Sequence, residues 1–393
     1  EVADILNIKC TRKNKSIIGN DRSNPLMAGV QMDFFDRHLA RLIEHNYTVP
    51  IYNQTKVFDK NGNFLFIKRE LSKIYSPGTM IESDSKQISS GSVKIVAIYI
   101  DEYKDPISKM IKTGLGFSCV DLMVGQSWVF EMTSADFDIV QIHDEIHRFI
   151  KSHEPREIII NNSKYLEDEY NHILVHDKQF EVKKISYIDS FLEIIYGKQM
   201  MSPIEYLDLE HMNFGLQSFV NLLEFVKEHD FTILNRLERP LIERSSRLIL
   251  EKNCVKQLNL IETTTEYKYN SVFDIINKCR TRFGSRLLRG WILNPLTEKK
   301  IIQQRLDIIS EMIKEDKYKS FQRLLHGIPD MERVWRKIEL KKIEPCEFAN
   351  LLESYETCLQ IANICYSNDV IRSSLIPNIE LINGFIHYIG YCK

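Results

Sequence analysis

The chain has no paired-cysteine motif. Its eight cysteines are scattered from Cys10 to Cys392 with no CxxC among them. A zinc ribbon or a disulfide framework would cluster them, so the sequence reads as reduced thiols in an intracellular compartment. No apolar run approaches the roughly 20 residues of a membrane-spanning helix, and no signal peptide is visible. Triplets such as Asn53-Gln54-Thr55 and Asn161-Asn162-Ser163 are therefore read as chance in an Asn-rich chain. Charge of one sign is also missing: 52 basic and 54 acidic side chains leave a formal net charge of −2. That excludes a general electrostatic pull toward nucleic acid and leaves only local surfaces. No GxxxxGK[ST] loop is present, so the chain carries no such cradle for nucleotide phosphates.

What is there reads as globular, with 44% hydrophobic and 27% charged residues over 393 positions, a length that suits two or three domains. Ile, Lys, Asn, Tyr and Phe are abundant, the residues of AT-rich codons, which points to an organellar or other AT-rich genome. The chain opens at Glu1 and stops in the apolar stretch "INGFIHYIGYCK"; both ends look cut, and a fragment is expected.

Residues 1–76 read as a small α/β unit. "DFFDRHLARLIEHN" puts Phe35, Leu39, Leu42 and Ile43 on one helical face. "VFDKNGNFLFI" has two β-prone runs around Asn61-Gly62 and predicts a hairpin. Residues 77–92, rich in Pro, Gly and Ser, suit a linker. Over 93–198, strand and helix patterns alternate: "VKIVAIYI", "GFSCVDLMV" and "SWVFEM", then "DFDIVQIHDEIHRFI", with Ile139, Ile142, Ile146 and Phe149 at helical spacing, then "REIIINN". That order predicts a layered domain on a mixed sheet. Helical periodicity dominates 199–393 and predicts a helical domain.

The densest basic stretch is "KCRTRFGSRLLRGWILNPL" at 278–296. Just before it, Ser271 can cap a short helix, with Asp274 completing a capping box. Thr281 reads as the N-cap of a second helix that Pro295 ends. Arg282, Arg286 and Arg289 then form one cationic stripe, while Leu287, Leu288 and Trp291 face elsewhere, into the core. Gly284, in the first turn, would let another backbone come close. The stripe could hold nucleic-acid phosphates or pair with local acids; spacing alone favours the second.

This stretch closely resembles the core-domain motif of the MutS family of DNA mismatch-repair proteins. There a short helix is followed by T-P-x-G-S-R-x-L-x-x-W, then P-L and R-L-D. Here those positions are Thr281, Gly284-Ser285-Arg286, Leu288, Trp291, Pro295-Leu296 and Arg305-Leu306-Asp307. Arg282 replaces the family's proline at the first helical position. "NPLMAGV" at 24–30 resembles the family's P-M-A-G-V/I-P segment, with Gln31 in place of its last proline. "KREL" with "YSPGT" at 75–79 resembles its R-x-V-T-P-G-T run, and "GIPDMERVWRKI" at 327–338 its G-D-L-E-R helix start. Composition, size and the spacing around "SNPLMAG" resemble most the mitochondrial branch found in octocorals.

The resemblance implies an α+β multidomain chain. Its parts would be a truncated α/β mismatch-recognition domain (1–76), an RNase H-like α/β connector (93–198) and the start of an all-α core and lever (199–393). It implies double-stranded DNA with mismatches as ligand, a homodimer, a MutL-like partner reached through the connector, and a mitochondrial location. ATP and Mg²⁺ would serve the longer protein at sites outside this chain. Thr281, Gly284, Arg286, Trp291, Arg305 and Asp307 would be structural or coupling residues. Lys9, Arg12, Lys13 and Lys15 would lie within the recognition domain as DNA contacts or as a solvated loop. In the family a Phe-x-Glu stacks on the mispaired base. Phe191-Leu192-Glu193 matches those letters, but it falls on a predicted helix and is not assigned that role.

Other constellations offer different chemistry. Asp101 at a strand end, Asp121 mid-strand and Glu145 could hold two Mg²⁺ ions in an RNase H-like nuclease, an analogy of fold only. His143 and His147, at i and i+4, have zinc-compatible spacing, but no third ligand is in view and the pair reads as half-exposed. Arg333, Arg336 and Lys337, interleaved with Glu332 and Glu339, read as a salt-bridged helix surface. A scaffold with decayed DNA binding is the third possibility. No catalytic residue and no metal site is assigned.

Overall fold

The computed structural model describes residues 1–58, 64–80, 93–104, 109, 111–134, 139–166, 170, 173–242, 248, 250, 252–261 and 271–366. The chain divides into two compact units. One comprises 1–102, 114–132 and 155–240; the other comprises 103–113, 133–154 and 241–393.

The first unit opens with helix α1 (Val2–Leu6) and strands β1 (Cys10–Arg12) and β2 (Leu26–Ala28), which pair antiparallel. Helix α2 (Phe35–Glu44) follows, burying Leu39, Ala40 and Ile43 against Met80, with Phe35, Val49 and Tyr75 packed around them. The amphipathic spacing foretells that face. Strands β3 (Val49–Phe58) and β4 (Phe64–Tyr75) form the expected hairpin, paired from Val49↔Tyr75 to Phe58↔Phe64. Its Asn61-Gly62 turn lies outside the described residues.

The next layer is a mixed sheet. Strands β5 (Lys94–Lys104), β6 (Ile111–Asp121), β7 (Gln126–Ser134), β8 (Glu157–Ile160) and β9 (Leu174–Asp177) lie in the order β7-β6-β5-β8-β9. β5, β8 and β9 run parallel, with Ile95 opposite Glu157 and Glu157 opposite Leu174. Connections of a few residues between β5, β6 and β7 require antiparallel neighbours. The alternating strand and helix pattern thus yields a mixed sheet, as its order foretells. Residues Ile95–Ile100 and Glu157–Ile160 are buried throughout, as unbroken apolar runs in parallel strands are.

Helix α3 (Ile139–His153) falls between β7 and β8 in sequence, and buries Ile142, Ile146 and Phe149 as expected. Helices α4 (Ile185–Tyr196), α5 (Pro203–Tyr206) and α6 (Asn213–His229) follow β9. α5 starts on a full capping box, Ser202 with Glu205. α6 belongs with the sheet rather than with the helical half, to which the boundary at 199 assigned it. Its first turn sits directly on β6: a Cβ on Gly116 would run into the Phe214 carbonyl oxygen, and one on Gly114 into the Phe214 ring. Two glycines in a strand open that space. Farther along, the Ser218 hydroxyl donates to the Ala97 carbonyl at 2.9 Å. The Glu131 carboxylate accepts the Phe214 and Gly215 N–H groups at 2.8 and 2.9 Å, satisfying α6's free N-terminal donors. Helical periodicity reports an apolar face, not which layer covers it.

The second unit is mainly helical. After the short strand β10 (Leu241–Ile242) come α7 (Lys252–Gln257), α8 (Val272–Ile276), α9 (Arg282–Leu293), α10 (Lys299–Ile313), α11 (Lys317–Leu325), α12 (Met331–Glu339) and α13 (Pro345–Tyr366). Phe321 of α11 and Cys365 of α13 share a small core with Met312, Leu325 and Ile361. Trp335 of α12 donates its indole N–H to the Tyr355 hydroxyl of α13 at 2.6 Å.

Candidate coupling motif and nucleic-acid loop

The motif region is built from its caps outward. Ser271 Oγ accepts the Asp274 N–H at 3.1 Å and donates to the Asp274 carboxylate at 2.8 Å, starting α8. Thr281 Oγ1 accepts the Gly284 N–H at 3.2 Å, starting α9. Gly284 is needed here for a reason other than the one expected. A Cβ would lie 2.8 Å from the Thr281 hydroxyl oxygen, so what comes close is the cap itself and not a second backbone.

The cationic stripe on α9 turns inward to acids. Arg286 forks onto both oxygens of Asp330 at 2.7 and 2.8 Å and also pairs with Glu332. Asp330 and Glu332 open α12, so one guanidinium ties the G-S-R stretch to the D-M-E-R stretch. Burial alone would lower the Arg286 pKa and raise that of Asp330. The pair outweighs burial, holding the arginine above its ordinary value and the aspartate below its own. Arg289 pairs with Glu154 and lies over the Phe273 ring. Burial lowers its pKa against the pull of Glu154. Arg282 stays exposed. Arg286 and Arg289 thus follow the local-acid reading.

Two apolar residues expected in the core are outside it. Leu287 is 56% and Trp291 42% exposed, because the outer face of α9 carries them. Trp291 is covered by a cation instead: the Arg305 guanidinium lies 3.8 Å from its ring centroid. That contact joins the Trp of the motif to its R-L-D. Asp307 is exposed and accepts from Gln303 at 2.8 Å, within α10. The basic set on α12 is salt-bridged as expected, with Arg333 to Asp330, Arg336 to Glu339 and Lys337 to Glu347. It is not all surface, however. Arg336 is 1% exposed, guanidinium included, with Glu339 as a partner.

In the first unit, Lys9, Lys13 and Lys15 are exposed and Arg12 is half-buried on β1. Lys13 and Lys15 stand on a loop that folds around Asn24, a residue that motif and periodicity do not single out. Asn24 is buried. It donates to the carbonyls of Ile17 and Gly19 at 3.1 and 3.0 Å and accepts the Asn14 N–H at 2.7 Å. One side chain thus satisfies three backbone groups of a loop that makes few hydrogen bonds between its own backbone groups.

The nuclease constellation is not assembled as drawn. Asp101 lies inside β5 rather than at its end and is exposed. Asp121 ends β6 rather than sitting within it, and its carboxylate accepts the Met123 N–H at 3.0 Å in the following turn. Glu145 is taken by Arg148 at 2.7 Å. His147 is buried rather than half-exposed, while His143 is partly exposed. Among the described residues no three His, Cys, Asp or Glu side chains gather to hold a metal, and no helix is long and apolar enough to cross a membrane. Phe191 and Leu192 are buried in α4 while Glu193 faces outward, so this Phe is a core residue.

Residues 1–84 match MutS domain I and residues 253–385 match MutS domain III. A mutS homologue of Acanthamoeba polyphaga mimivirus is 30% identical over 99% of the chain. The DNA mismatch repair protein MutS of Caldanaerobacter subterraneus subsp. tengcongensis is 28% identical over 86%, and that of Thermosipho melanesiensis 25% over 99%. The chain spans 37%, 37% and 42% of the lengths of these three relatives.

Proposed function

Since the chain belongs to the MutS family, we propose that it serves as the DNA-probing and relay portion of a mismatch-repair protein. What carries the reading is the order of domain I and domain III matches on one chain, with a basic loop held in a defined shape inside the first. A mismatched step is easier to kink than a paired one, so selection would work through deformability rather than through base-edge contacts. Lys9, Lys13, Lys15 and Arg12 would supply phosphate contacts. Arg286, Asp330, Trp291 and Arg305 would keep the α9–α12 motif rigid enough to pass a displacement on.

ATP and Mg²⁺ are proposed to act on parts of the longer protein outside this chain, which would work as a homodimer with a MutL-like partner. The AT-codon-biased composition supports the mitochondrial branch. Duplex binding by the chain, followed by fluorescence anisotropy across a salt series, tests the DNA reading. Replacing Lys9, Lys13 and Lys15 by Gln should flatten the slope of log K against log salt by about 0.9 for each phosphate that is no longer neutralised. An unchanged slope would remove the loop from the DNA contact.

A further inference from the structure

Glu157 belongs neither to the basic loop nor to the α9–α12 motif. It is the first residue of β8, carries a carboxyl group, and is fully buried. One oxygen accepts the Gly78 N–H at 2.7 Å and the other meets His176 Nε2 of β9 at 3.2 Å. Gly78 belongs to the turn that takes the chain out of β4 toward β5.

Most of that turn is satisfied from within. Thr79 Oγ1 accepts the Ser76 N–H at 3.0 Å, the two hydroxyls lie 2.9 Å apart, and the Ser76 carbonyl accepts the N–H groups of Thr79 and Met80. Gly78 differs: its N–H leaves the turn for the sheet. Glycine is required at that point because a Cβ would fall 2.5 Å from Ile95 Cγ1 and 3.3 Å from the Glu157 carboxyl carbon. Ser76 and Thr79 are buried, and Met80, just beyond, sits in the core of α2 with Leu39, Ala40 and Ile43. The stretch read from sequence as the opening of a linker is therefore a buried joint. It is anchored at one end in the helix-and-hairpin layer and at its glycine on the first parallel strand pair. A second tie runs beside it, Lys73 of β4 to Asp230 at the end of α6, 2.6 Å apart.

We infer that Glu157 is a positioning residue: its carboxylate latches the Ser76–Thr79 turn to the sheet, so that the β3–β4 hairpin and the mixed sheet move as one body. An acceptor-only group with two oxygens suits the place, because it holds the turn with one and the neighbouring strand's histidine with the other. The latch is a property of the fold. Its use, carrying a displacement of the DNA-contacting part into the sheet without slack, rests on the proposed DNA function.

Amide hydrogen exchange on the whole chain tests it. Glu157→Ala should speed exchange of the Gly78 amide by about tenfold or more while Val96, Ala97 and Ile98 keep their protection. Glu157→Gln, which keeps an oxygen acceptor for the same N–H, should restore the Gly78 protection. An unchanged Gly78 amide in Glu157→Ala would overturn the latch. So would loss of protection that spreads to Val96–Ile98, since Glu157 would then be a general core residue. If Glu157→Ala does not fold, Gly78→Ala decides: with Glu157 intact it should open the turn at the Met80 amide, and retained protection there would overturn the inference. A confirmed latch in a chain that binds no duplex would leave the latch standing and remove the DNA reading.

Discussion

The mixed sheet and the α9–α12 motif are held together by opposite means. In the sheet, Ile95–Ile98 and Ile158–Ile160 are buried side by side and the contacts are apolar. In the motif the apolar side chains Leu287, Leu306 and Ile309 are about half exposed, and Trp291 is partly so. What fastens the helices there is a set of charges: Arg286 on Asp330 and Glu332, Arg289 on Glu154, Arg305 over Trp291. Apolar burial is non-directional and tolerates repacking of similar volume. A forked ion pair fixes one geometry and fails when either partner is removed.

The contrast can be attacked from either side. The largest effect is expected in the sheet: Ile98→Ala should cost about 4 kcal/mol, as a buried cavity does, with little dependence on salt in urea unfolding. Next is Arg286→Ala, at about 2 kcal/mol, because it leaves Asp330 and Glu332 facing each other with Arg333 left beside Asp330. Arg286→Lys should recover only part of this, since an ammonium cannot fork. Thr281→Ala, which removes the α9 cap, should cost about 1 kcal/mol.

Lowering the pH perturbs the sheet unit without any substitution. Burial lowers the His229 pKa below its ordinary value, so the unfolded chain takes up a proton more readily than the folded one. The stability this group contributes is full above the unfolded value of about 6.5 and falls as the pH drops below it. Melting temperatures measured from pH 8 to 5 should decline over the lower part of that range, and His229→Gln should flatten the decline. The smallest effect is expected for Trp291→Ala: its exposed cation–π contact is worth about 0.5–1 kcal/mol.

Sequence reasoning reached whatever is settled within a few residues. The caps at Ser271 and Thr281, the buried faces of α2 and α3 and the β3–β4 hairpin follow from periods and turn residues. It did not reach contacts made at long range. Arg286 meets Asp330 44 positions away, and Gly78 meets Glu157 79 positions away. Periodicity could mark Arg286 as one of a stripe but could not say which acid it faces. The same blindness sent Leu287 and Trp291 into the core: an apolar face at helical spacing looks alike whether a layer or only a guanidinium covers it. Asn24 left a fainter signal still, an Asn before Pro in a polar loop, where a turn is expected but a loop-organising hub is not.

The stripe on α9 acts above all as an internal fastener between α9 and α12. A double-mutant cycle between Arg286→Ala and Asp330→Ala, read by urea unfolding, puts that role to the test. A coupling of about 1–3 kcal/mol is expected, with the double variant far less destabilised than the sum of the two single variants. Additive effects would contradict the fastener and return Arg286 to the solvent-facing stripe that its spacing alone allows.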